Sequence, residues 1–253
     1  MATTLREVEA AENPVWQARV DLAAAYRLCV RYGWNEGICN HLSLMVPGET
    51  DKFFLNAYGL HWSEVTASNL LVVDFNGNVV EGTGEAEDTA FYIHARVHMS
   101  DAKPACALHT HQPYPTALTM LEDGKLDTAI QVALRFYGRV AYDDDYQGLG
   151  LSCDEGDRLA ECLGDKEVLF MAHHGVMVVG PSVAHSFDAL YYLDRACDVQ
   201  IKAMSTGQPI KRISPNLAQL THSQMMPNVP VAAQKHFDSL KRLLDRDEPD
   251  YKN

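Results

Sequence analysis

The apolar run Ala105-Cys106-Ala107-Leu108 ends in His109-Thr110-His111, and a second, Val168 to Ala172, ends in His173-His174-Gly175. No other feature limits the fold so tightly. On a strand, residues i and i+2 point to one face, so His109 and His111 leave the first run side by side. Two imidazoles buried there without partners would be costly. A shared cation satisfies both, and a histidine from the second run supplies a third ligand. Three imidazoles and an open position form the donor set of a catalytic divalent metal. A fold that carries this set must bring the ends of two distant strands to one point.

His173 and His174 are adjacent and on a strand would face opposite ways. One of them at most joins the pair easily, and spacing alone leaves open which. Gly175 allows the backbone to turn or approach closely. His94 and His98 lie i, i+4 on an expected helix and share a face. They mimic an HxxxH metal site, but Ala95 stands where a zincin has its Glu. Supporting the site from behind, or packing the helix, is their expected role. His41, His61, His185, His222 and His236 stand alone and receive no assignment.

Around these motifs, strands and helices mix. Asn13-Pro14 reads as a helix cap followed by Pro at the first helical position, and Gly33 as the stop. Short apolar runs follow at Leu42 to Val46, Phe53 to Leu55 and Leu70 to Val73. Asn76-Gly77 between apolar segments predicts a hairpin. Helices are expected over Thr89 to Met99, Pro113 to Met120, Glu155 to Leu163, Ala184 to Met204 and Val231 to Leu244. Further strands are expected at Cys106 to His111, Val140 to Tyr142, Val168 to Ala172 and Val176 to Val179. The pattern predicts one α/β domain, a mixed sheet covered by helices.

Composition narrows the partners. The net charge of −13 argues against nucleic acid and against an anionic membrane surface. The six cysteines form no CxxC pair and read as reduced packing thiols. Met1 to Asn13 is polar and lacks the apolar core of a signal peptide. No stretch reaches the roughly 18–20 apolar residues of a membrane span. The expected location is cytoplasmic.

Further motifs are Asn40-His41-Leu42-Ser43, Phe54 to Gly59, Val72-Val73-Asp74 with Asn76 to Val79, Phe91 to His94 and Phe136 to Tyr142. Taken together with Leu108 to His111 and His173 to Val176, they resemble the class II aldolase/adducin family. The similarity covers about residues 15 to 205. It implies a three-layer α/β/α sandwich with a mixed, largely antiparallel central sheet. It also implies a single domain over 1–253 with a C-terminal helical extension, 206–253. A homotetramer with sites near subunit interfaces is implied too. The resemblance assigns the metal, usually zinc, with manganese or iron as alternatives, to His109, His111 and His174. His173 becomes a neighbour. Asn40 and Ser43 fall in a motif that binds substrate.

One departure bears on chemistry. Counting back from His94, Ala90 occupies the place of the sugar-phosphate aldolases' catalytic acid, and Asp88 and Thr89 the places of two serines. A carboxylate at Asp88 would repel a phosphate, so a non-phosphorylated substrate is expected. Glu85, Glu87 or Asp88 could supply a shifted catalytic carboxylate, or simply form an acidic helix start favoured by the helix dipole. Arg135 offers a fork for a substrate carboxylate or a structural ion pair. Tyr142 and Tyr146 are candidate proton donors.

The expected function is a metal-dependent carbon–carbon lyase acting on a small hydroxy- or oxo-acid. Aldol cleavage needs a base for the substrate hydroxyl, whereas decarboxylation does not. The alternatives are a non-catalytic adducin-like assembly module, or an epimerase or dehydratase of the same family.

Overall fold

The computed structural model describes residues 13–253. The expectation about a signal peptide concerns residues that, but for Asn13, lie outside this range. Helix α1 (Pro14–Tyr32) starts where expected. Asn13 Oδ1 accepts from the N–H groups of Val15 (2.9 Å) and Trp16 (3.3 Å). It ends at Gly33, whose φ of 69° is left-handed and suits a residue without Cβ.

Eight strands form one sheet: β1 (His41–Met45), β2 (Lys52–Leu55), β3 (Leu71–Asp74), β4 (Val79–Glu81), β5 (Cys106–Thr110), β6 (Val140–Asp143), β7 (Val168–Met171) and β8 (Gly175–Gly180). Their order is β4-β3-β2-β1-β5-β8-β7-β6. Every pairing is antiparallel except β6 with β7, which is parallel. The β3–β4 hairpin turns at Asn76-Gly77, where Asp74 Oδ1 accepts from the N–H groups of Asn76 and Asn78.

Alternation along the strands divides the side chains between two faces. Leu42, Leu44, Cys106, Leu108, Val176 and Val178 pack against α1 and α5 (Val183–Met204) through Leu22, Tyr26, Phe187 and Leu190. Ala107, Leu169, Met177 and Val179 point the other way. They meet Ile93 and Val97 of α2 (Asp88–Met99) and Leu159 and Leu163 of α4 (Cys153–Leu163). The result is helix, sheet, helix in three layers. The short helix α3 (Pro113–Thr119) follows β5 directly and packs against α5.

Helix α6 (Pro215–Met225) was not expected from the sequence, and α7 (Val229–Asp247) extends beyond the expected Val231 to Leu244. Helix α7 lies against α5 and α1. Arg27 donates to Asp250 Oδ2 at 2.7 Å, and the carbonyl of Asn253 accepts from Ser68 N–H at 2.8 Å. Among the described residues, no helix is long and apolar enough to cross a membrane.

Candidate metal centre

β5 is the central strand of the site. His109 lies opposite His41 of β1 and Met177 of β8, so it is held by pairing on both sides. It shares the face of Ala107 and therefore looks toward α2. His111 follows one residue after the strand and points the same way. The third imidazole arrives from the β7–β8 turn. There, His173 adopts a left-handed φ of 57°, and His174 N–H donates to Met171 O at 3.1 Å. That turn rotates His173 away from the pair and His174 toward it.

Gly175 explains the residue that follows. A Cβ at this position would stand 2.7 Å from both His111 Cδ2 and Thr110 O. Only glycine lets the turn come this close to β5. The potential ligand atoms of His109, His111 and His174 then lie within 4.8 Å of one another. Their ring centroids are separated by 5.0, 4.8 and 4.7 Å.

Hydrogen bonds fix which nitrogen each ring turns inward. His109 Nδ1–H donates to Val176 O at 3.0 Å, since a carbonyl can only accept. His111 Nδ1 is bonded to the Glu36 carboxylate. Both rings therefore offer Nε2 lone pairs to the centre. His111 Nε2 is buried with no hydrogen-bond partner. Burial, with help from neighbouring imidazoles, holds His109 well below the usual histidine range and takes His174 to about 4. A buried imidazole nitrogen without a partner, facing two further imidazoles, is costly alone and fits a divalent cation.

The three rings open onto a cavity of about 240 Å³. Ile38, Ile93 and Leu149 supply apolar walls, with Tyr58 and Tyr146 at the side. Glu87 and His41 also line it, with His41 Nε2 3.3 Å from Glu87 Oε2. No lysine or arginine lines it among the described residues.

The other expected site residues divide. Asn40 lines the cavity, in a left-handed conformation (φ 70°) with its Nδ2 unpartnered. Ser43 does not line it. It lies beneath, between His94 and His98. Glu87 faces the cavity and also caps α2, accepting from Ala90 N–H at 3.1 Å and from the Thr89 hydroxyl. Asp88, the first residue of the helix, follows the extended cap Glu87 and is exposed and outside the lining.

Arg135 is placed differently from the substrate contact expected of it. It pairs with the buried Asp188 of α5, which also accepts from His236 Nδ1 at 2.8 Å, and its guanidinium stacks 4.3 Å from the Tyr192 ring. Of its two sequence readings, the structural ion pair is the one formed. Tyr142 likewise opens onto a different cavity, with Met120, Asp144 and His173. Its hydroxyl accepts from Leu126 N–H at 3.0 Å, and burial pushes its pKa up to about 12. Of the two candidate proton donors, Tyr146 is the one that reaches the histidine pocket, where Tyr58 joins it.

Sequence reasoning missed Glu36. It lies 75 residues upstream of the imidazole it holds, in the turn closed by the Glu36–Cys39 bridge. No local pattern marks it.

Residues 20–201 match the family model described as Class II Aldolase and Adducin N-terminal domain. A Caulobacter vibrioides protein provisionally named an aldolase class 2 protein is 34% identical over 238 residues, 93% of this chain and 92% of that one. The crystal structure of an aldolase II superfamily protein from Pseudomonas syringae superposes with a TM-score of 0.88 at 36% identity. The match covers 97% of this chain and 99% of that one. Alpha-adducin of Rattus norvegicus is 30% identical over 246 residues, 90% of this chain but 33% of its own length.

Proposed function

This chain belongs to the class II aldolase and adducin family, and from that membership we propose that it is a metal-dependent carbon–carbon lyase acting on a small, non-phosphorylated hydroxy- or oxo-acid. The observation that carries the reading is the meeting of His109, His111 and His174 at the floor of one cavity. All three are the residues we assign to the metal, with zinc first for an all-imidazole donor set. A divalent cation bound there would supply Lewis-acid stabilisation of the negative charge that develops on the substrate as a carbon–carbon bond breaks.

The chain's own residues define what else the site does. Val176 O and Glu36 orient two of the rings and make them better donors. Ile38, Ile93 and Leu149 give the cavity apolar walls. No lysine or arginine among the described lining residues is placed to fork onto a phosphate in addition to the cation, whereas a single carboxylate can be met by the cation alone. Asn40 presents an amide N–H donor with no partner, placed to hold a substrate oxygen. Glu87 is the carboxylate we assign to the site, and Asp88 is not. Its Oε2 is engaged by the start of α2, which favours an orienting role beside His41. We expect a homotetramer, as the family resemblance implies.

One observation favours a second reading. Ala90 stands where aldolases of the family carry their acid, as would suit an adducin-like binding module. The two readings part on metal content and turnover. Purified protein should contain close to one equivalent of zinc, manganese or iron. It should release an aldehyde or carbon dioxide from at least one acid in a hydroxy- and oxo-acid screen. Full turnover by His109→Ala would reject the mechanism. Protein without stoichiometric metal, inactive across the screen after metal loading, would favour the binding module.

A further inference from the structure

Behind the metal histidines lies a second set of imidazoles that the proposed function has not used. His98 Nδ1 is 2.8 Å from Pro104 O. A carbonyl only accepts, so this nitrogen carries the proton and, in the neutral ring, His98 Nε2 is a lone pair. Ser43 Oγ lies 2.7 Å from that lone pair, so the serine hydroxyl donates its one proton there. Ser43 Oγ also lies 2.6 Å from His94 Nδ1. With its proton spent, the hydroxyl must accept from His94 Nδ1–H. The longer 3.5 Å approach of Ser43 Oγ to Ala107 O competes poorly for the same proton.

The direction of this chain of bonds is therefore forced from one end to the other. It leaves His94 Nε2 as a lone pair. That atom is buried and has no hydrogen-bond partner. His94 itself lines the cavity of His109, His111 and His174. The neighbouring His41, edge-on with centroids 6.1 Å apart, has its Nε2 beside Glu87. Burial lowers both His94 and His98 from the ordinary histidine range, the latter to about 4. A buried acceptor without a donor is costly and calls for an explanation. A substrate hydroxyl entering the cavity supplies the donor.

We propose that His94 Nε2, held as an acceptor by Ser43 and His98, takes the proton of a substrate hydroxyl, so that the site performs aldol cleavage of a β-hydroxy carbonyl compound. This rests on the lyase reading above and selects between its two reactions. Decarboxylation needs no such acceptor. Aldol cleavage does, and Ala90 cannot provide one. In a 4-hydroxy-2-oxo-acid, the hydroxyl proton passes to His94 Nε2. The O–H electron pair becomes the second bond of the new aldehyde carbonyl. The C3–C4 bond breaks, and its pair enters the enolate of the 2-oxo-acid. C3 then recovers a proton from His94, which returns to its starting state. No oxidant or other co-reactant is required. Ser43 and His98 are positioning residues.

The first test needs no turnover. Long-range ¹H–¹⁵N correlation on histidine-labelled, zinc-loaded protein reports the tautomer of each ring. His94, assigned by its loss in His94→Gln, should carry its proton on Nδ1. Ser43→Ala should shift it toward Nε2–H, and Ser43→Thr should restore it. A wild-type His94 protonated on Nε2 overturns the proposal.

The second test follows pyruvate release from 4-hydroxy-2-oxobutanoate, and release of the 2-oxo-acid from its 4-alkyl homologues. His94→Gln should lose on the order of 10²–10⁴-fold in kcat at unchanged zinc content. Ser43→Ala should lower kcat with little change in KM, and Ser43→Thr should recover it. Near wild-type kcat in His94→Gln overturns the proposal and leaves the lyase reading intact. So does a wild type that only decarboxylates members of the acid screen. Inactivity of the metal-loaded wild type on every acid overturns both.

Discussion

Gly175 and Glu36 decide whether three imidazoles can act as one site. Neither is a ligand. Gly175 is where the β7–β8 turn touches β5, and an added methyl group would meet the backbone oxygen of Thr110 as well as the His111 ring. Gly175→Ala should therefore displace His174 or His111, cost about 1–3 kcal/mol of stability, and weaken zinc binding at least tenfold. Chelator competition and urea unfolding measure the two effects. Glu36 acts through a hydrogen bond to His111 Nδ1. Glu36→Gln keeps the shape and removes the charge, and should weaken zinc 10–100-fold with little change in stability. Unaltered zinc affinity in that variant would reduce Glu36 to a surface neighbour. These two residues also mark the limits of reading a sequence by position. His-His-Gly is legible as a motif, and its glycine as a close approach. What it approaches is decided by the β5–β8 pairing.

At the scale of elements, local chemistry sets most boundaries. Asn13 caps α1 with two hydrogen bonds and Gly33 closes it, and both residues announce themselves in the sequence. Asn13→Ala should cost about 1 kcal/mol, read as a lower urea midpoint with an unchanged slope. No loss would mean that packing of Leu22, Tyr26 and Leu28 alone holds the helix. The eight strands were legible because each alternates or runs apolar between turn residues. Helix α6 was not. Its sequence, Pro215 to Met225, buries only Ala218 and leaves Leu217 and Leu220 exposed, so it has no apolar stripe to read. Arg135 shows the same limit in a side chain. Its charge suited a substrate carboxylate, but α5 puts Asp188 beside it, and a buried carboxylate captures the guanidinium first.

Across the whole molecule, buried titratable groups give stability a pH dependence with two opposing signs. Burial depresses His94 and His98 below 6.5. For them the unfolded chain binds protons more readily, so their contribution is full above about pH 6.5. It is lost as pH falls toward the folded values. Asp194 has the reverse sign. Burial raises it to about 6, so its contribution is present below pH 4 and lost as pH rises through 6. The histidines outnumber it, and urea midpoints of the metal-free protein should fall between pH 7 and pH 4.5. Asp194→Asn should be about 1–2 kcal/mol more stable than the wild type at pH 8, with the gap closing below pH 5. An equal gap at both pH values would show that Asp194 is not strained by burial.

The amino-acid order by itself determined the α/β class, the helix caps, the strand that carries His109 and His111, and the family. The first three rest on periodicity, capping or spacing within a few residues, and the family on the resemblance of motifs spread along most of the chain. Only the tertiary structure decided which carboxylates face the cavity, that Arg135 and Tyr142 lie elsewhere, that Glu36 grips His111, and that Ser43 aligns His94. Those facts depend on contacts between segments far apart in the chain. Such contacts are set by how the sheet orders its strands and how closely two backbones can pass.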